Sequence, residues 1–121
     1  MASETRGKTS EAARTGPALR GADRRHLRSL AHGLRPAVQV GGGGVTDAVV
    51  AAVDAALDDH EIVKIKLAHE REVRAELADL LVQRTGSALA GHVGRMAILY
   101  RPAADPEQRR VTLPSATRRA H

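Results

Sequence analysis

Four consecutive glycines, Gly41 to Gly44, are the residues of this 121-residue chain whose types and spacing best suit holding a ligand. Without a Cβ, successive backbone N–H groups can converge on an anion. Thr46 or Asp47 can cap a following helix, whose N-terminus would add partial positive charge and unpaired donors. A turn requiring positive φ would use the same residues, so the glycines alone leave both readings open. Two nucleotide loops are excluded. A Walker A loop ends in Gly-Lys-Ser/Thr, and here Val45 and Thr46 follow Gly44. A dinucleotide fingerprint starting at Gly41 needs a glycine where Thr46 stands.

Catalytic chemistry finds no comparable set. His26 and His32 lie too far apart to share a helix face well, and His60, His69, His92 and His121 are scattered without HExxH or HxH spacing. Cysteine is absent, and no Gly-x-Ser-x-Gly elbow or Ser/His/Asp set occurs. Asp54, Asp58, Asp59 and Glu61 cluster where a helix should end and read as a solvated face. No catalytic residue, metal ligand, cofactor or small-molecule substrate is expected. The formal charge is +5 and the pI is about 10.7, a balance that favours polyanions. The excess sits in residues 1–35 and 105–121, around a slightly acidic middle. Tyr100 is the only aromatic residue among Phe, Trp and Tyr, which argues against stacking bases on aromatic platforms.

The elements that must position the glycines follow from periodicity. Residues 1–20 are polar and aperiodic and are expected to be a disordered tail. A first helix is expected from Asp23 as N-cap, with Leu27, Leu30, Ala31 and Leu34 inward and Arg24, Arg25 and Arg28 opposite. Ala37–Val40 reads as a short strand. The second helix carries Val45, Val49, Val53, Ala56 and Leu57 inward. Strict alternation follows, with Val63, Ile65 and Leu67 on one face and Lys64 and Lys66 on the other. A third helix points Val73, Leu77, Leu80 and Leu81 inward and stops at Gly86. Two strands joined near Gly94-Arg95 end at Pro102. The result is a single α/β domain over residues 21–104, in α-β-α-β-α-β-β order with a mixed four-stranded sheet, followed by a basic tail over 105–121. A linker role for the glycines fails, because one helix and one short strand upstream cannot form an independent core. As a strand-to-helix loop, Gly41-Gly42-Gly43-Gly44 fits the Gly-x-x-Gly pattern with which the KH module clamps nucleic-acid backbone.

Taken together, "RRHLRSLAHGLRPAVQVGGGGVTDAVVAAVDAAL", "HEIVKIKLA" and "GRMAILYRP" resemble the bacterial YhbY family, the stand-alone CRM domain of chloroplast RNA splicing and ribosome maturation. The resemblance runs from about Leu19 to Pro114, and "RRVTLP" is similar to the family's ending. It implies a compact domain similar to the C-terminal domain of translation initiation factor 3. It also implies RNA binding without catalysis, and association with precursors of the large ribosomal subunit. Gly41–Gly44 match the family's loop, and Arg24, Arg25 and Arg28 its basic first helix. Lys64, Lys66, Arg95 and Arg101 fall where members often carry basic residues. One departure is clear: members often have Lys, Asn or Ser inside the loop, where this chain has Gly42 and Gly43.

The expected mechanism is backbone and shape recognition of large-subunit rRNA by a cytoplasmic monomer. In it Arg24, Arg25 and Arg28 flank the glycine loop because their helix feeds the strand that ends there. Lys64, Lys66, Arg95 and Arg101 extend the surface. The rival from another class is a protein-interaction module docking on a ribosomal protein or translation factor through the acidic helices around Asp58 and Glu72.

Overall fold

The structure of the protein, a computed structural model, describes residues 16–115. Most of the expected N-terminal tail, and residues 116–121 of the C-terminal one, lie outside the described residues. Helix α1 spans Gly21–Ala31, strand β1 Val38–Val40, helix α2 Asp47–His60, strand β2 Ile62–Leu67 and helix α3 Arg71–Thr85. Strands β3, Ala88–Val93, and β4, Met96–Tyr100, follow. The order is the expected α-β-α-β-α-β-β. The sheet order is β1-β2-β4-β3, with β1 and β2 parallel and both other pairs antiparallel.

The sheet separates two cores because β2 and β4 alternate. Val63, Ile65 and Leu67 pack with Ala97, Leu99, Val53, Leu57 and Leu81 beneath α2 and α3. Ile62, Ile98 and Tyr100 face the other way and are covered by Leu27 and Ala31 of α1. The Lys64 and Lys66 face is therefore partly roofed by a helix, and both lysines are half-buried.

Local signals explain the helix ends, with one shift. Thr46 caps α2, its Oγ1 accepting from Val49 N at 3.2 Å. Gly86 ends α3 in the left-handed conformation, its N–H donating to the Val82 carbonyl at 2.9 Å. Asp23 is not the N-cap of α1 but sits three residues inside, where its carboxylate accepts from Arg20 N at 3.0 Å. That carboxylate also accepts from Ser115 N and Oγ, at 3.0 and 2.7 Å. A buried acid thus closes the helix and ties down the far end of the described chain.

Apolar assignments differ in all three helices. Leu30 and Leu34 are exposed because α1 ends at Ala31 and turns Leu27 and Ala31, rather than these two, into the apolar core. Val73 and Leu80 are exposed too, because α3 packs through Ala78, Leu81 and Thr85. In α2, Val50 is buried and Val49 only partly.

The described part of the expected C-terminal tail packs on the domain. Glu61, buried and at φ +65°, accepts from Ala103 N, Arg110 N and Val111 N at 2.7, 2.7 and 3.0 Å. Val111 and Leu113 then cover the α1-side core. Apolar side chains and two buried carboxylates, Glu61 and Asp23, hold what charge counting reads as a loose basic end.

Candidate functional site

Because β1 and β2 are parallel and β4 runs against β2, three connections meet at one end of the sheet. These are Gly41–Gly44 after β1, Ala68–Glu70 after β2, and the Gly94-Arg95 turn. The bond from Leu67 N to Arg95 O, 2.8 Å, joins the end of β2, where the second begins, to the third. Helices α2 and α3 both begin at this end.

The glycines form a tight turn, with Gly44 N donating to Gly41 O at 3.1 Å. Only Gly44 of the four has positive φ, +75°. A Cβ added at Gly41 or Gly42 would meet nothing within 4 Å, and one at Gly43 would make only ordinary contact with the Thr46 methyl. Three of the four glycines are thus required neither by backbone conformation nor by packing. They leave a bare, exposed backbone at the start of a capped 14-residue helix.

Cations around the loop are only partly those expected. Lys66 pairs with Gln39 and Met96 near the ends of β1, β2 and β4, and Lys64 lies two residues farther down β2. Arg95 is exposed on its turn. Arg71 and Arg74 of α3 and His92 of β3 line a small concavity on the side of the sheet covered by α2 and α3. Asp47, Glu70 and Glu72 share this end, and Asp47 is paired with Arg84 at 3.0 Å. The end is therefore mixed in charge, with backbone donors as its distinctive feature.

Arg24, Arg25 and Arg28 do not flank the loop. Helix α1 lies mainly against β3, at the opposite sheet edge from β1, about 14 Å away at the usual strand spacing. Arg28 reaches into the β3 irregularity and donates to the Ala90 carbonyl at 2.8 Å. Gly91, at φ +144°, leaves room for it, since a Cβ there would sit 2.9 Å from Arg28 Cδ. Arg24 donates to the Leu19 carbonyl at 2.8 Å, and Arg25 is exposed. A continuing chain does not imply proximity here, because residues 32–37 carry it back across two strands.

Arg101 is at the far end of the sheet. Its guanidinium donates to the Asp54 and Asp58 carboxylates at 2.7 and 2.8 Å and to the Thr85 and Asp54 carbonyls at 2.6 and 3.1 Å. Its side chain is 17% exposed. Of the acidic cluster that reads from sequence as a solvated face, Asp58 does stay exposed, yet it and Asp54 hold this internal arginine, and Glu61 is buried. The groove around them, with Asp105, is acidic and remote from the glycines.

Sequence reasoning missed His69 and Arg74. His69 Nε2 lies 3.2 Å from Gly41 O, and Arg74 Nη1 donates to His69 O at 2.7 Å. Neither carries a motif. The usable signal was position, since both closely follow the strand parallel to the one that enters the loop.

The CRS1 / YhbY (CRM) domain family matches residues 19–101. A Haemophilus influenzae protein named "RNA-binding protein" is 37% identical over 89 residues, 73% of this chain and 87% of that protein. "Probable RNA-binding protein PA4753" of Pseudomonas aeruginosa is 37% identical over 92 residues, 75% of this chain and 88% of its own. The solution structure of protein SAV1595 of Staphylococcus aureus is similar with a TM-score of 0.68 at 30% identity, covering 78% of this chain and all of that one.

Proposed function

The chain belongs to the CRS1 / YhbY (CRM) domain family, and from that premise we propose that it is a non-enzymatic RNA-binding protein. The observation that carries the reading is the glycine loop: Gly41, Gly42 and Gly43 are free of any backbone or packing need for glycine, yet all are exposed at a helix start. Such a loop admits a phosphodiester to close range, where backbone N–H groups and the α2 N-terminus meet its charge. Lys66, Arg95 and Arg71 supply cations beside it, and Lys64 and Arg25 extend the field along the α1 side of the sheet. With Tyr100 buried, recognition is of backbone and shape rather than stacked bases. The names of the relatives support RNA as the partner class. The finer reading is a cytoplasmic monomer that binds large-subunit rRNA in a precursor particle and assists its assembly.

Fluorescence anisotropy with a labelled RNA hairpin tests the first step. Neutralising about five phosphates makes log affinity fall with log salt at a slope of roughly 3 to 5. Gly42→Val, open on all sides, should fold normally and bind several-fold more weakly. A flat salt response, or full binding by Gly42→Val, overturns the loop reading. Crosslinking in cells identifies the RNA, and capture of a ribosomal protein that survives nuclease favours protein docking instead.

A further inference from the structure

We infer that His69 is a positioning residue that holds the Gly41–Gly44 turn in the shape that receives the RNA backbone, an inference that rests on the reading above. A four-glycine segment has many backbone states and no side chains with which to anchor itself. Among the described residues its own hydrogen bonds are Gly44 N to Gly41 O and Thr46 N to Gly44 O, both 3.1 Å. The remaining constraint comes from outside, where His69 Nε2 approaches Gly41 O at 3.2 Å. A carbonyl only accepts, so Nε2 must carry the proton. Gly41 O thereby takes two donors, one closing the turn and one joining it to the next connection.

The ring is itself well placed for this. His69 N donates to Leu67 O at 2.8 Å, and Arg74 Nη1 donates to His69 O at 2.7 Å. The stretch that carries the ring is thus fastened to the end of β2 and the first turn of α3. The other ring nitrogen, Nδ1, is buried and has no partner. With Nε2 committed and Nδ1 shielded, the ring has no free nitrogen to offer RNA, so its effect on binding passes through the loop.

Three substitutions separate holding from contact. Gln places its amide nitrogen near the position of the imidazole Nε2, whereas Asn reaches only the place of Nδ1. In the RNA-free protein, His69→Ala and His69→Asn should speed amide hydrogen exchange at Gly44 and Thr46 about tenfold, and His69→Gln should restore it. Affinity for a fluorescein-labelled RNA hairpin should fall about two- to tenfold in the first two and recover in the third, the effect of one hydrogen bond. The salt slope should not change, since no phosphate contact is removed. Unchanged exchange in His69→Ala overturns the inference. So does faster exchange with unchanged affinity, or a slope reduced by about one, which marks direct phosphate contact. If the unsubstituted chain binds no RNA, the functional reading fails while the exchange data still decide whether His69 holds the turn.

Discussion

Arg101 has four acceptors in its own fold, two of them carboxylates. Removing it takes one shared donor from two carboxylates and two backbone carbonyls at once. Arg101→Ala should therefore cost about 3 kcal/mol, read by urea denaturation, while the RNA affinity of the folded fraction stays within about twofold. Arg95→Ala should do the reverse, keeping stability within about 0.5 kcal/mol and lowering the salt slope by slightly less than one. Tyr100 offers a different test. Burial raises its phenol pKa above the usual value near 10, Glu61 and Asp23 add to that, and Arg109 opposes it. The unfolded chain therefore loses this proton first. Stability should be unaffected below about pH 10 and should fall as pH rises through the raised folded value. Because Tyr100 is the one tyrosine, tyrosinate absorbance reads the transition directly. Native ionisation coinciding with that of the denatured chain would contradict the burial account.

Among the elements, Glu61 shows how a loop residue sets the course of a whole segment. It ends α2, adopts φ +65° and turns its carboxylate on three backbone donors of residues 103–111. Glu61→Gln puts an amide where a carboxylate oxygen accepts, at a cost of about 1–3 kcal/mol. Trypsin should cut after Arg109 or Arg110 roughly tenfold faster in that variant, because local opening precedes cleavage. Equal cleavage rates would mean that Val111 and Leu113 hold the segment without it. The helix faces tell a related story. Helical spacing allows several stripes in α1 and α3, and the choice among them belongs to the opposing surface. Leu80 and Val73 fit the period but meet solvent, while Ala78 and Thr85 are buried.

For the molecule as a whole, chain direction assembles the candidate interface. The parallel β1–β2 pair brings the glycine loop and the His69 connection to one end, and the antiparallel β4 brings Arg95 there. The same geometry sends Arg101 to the other end, a strand length away. The closing segment belongs to the fold. Truncation after Ala104 removes Val111 and Leu113 from the α1-side core, and takes the Arg110 and Val111 N–H donors from buried Glu61 and the two Ser115 donors from buried Asp23. It should lower stability by about 3–5 kcal/mol, seen as a large drop in the unfolding midpoint. Retained stability would return residues 105–115 to the status of a tail.

The element order, the two-faced alternation of β2, the Thr46 cap, the Gly86 stop and the strand-to-helix placement of the glycines were all legible in the sequence. These depend on local periodicity and on the conformational limits of single residues, which act over a few positions. Family membership was legible too, because it rests on several short motifs in order. Only the tertiary structure decided which cations stand near the loop, that Arg28 and Arg101 are used internally, and that His69 reaches Gly41. Those outcomes depend on strand direction, strand order and the acceptors that folding brings from distant positions. Charge and spacing in one dimension do not encode which acceptor an arginine will meet, since the sheet sets that meeting.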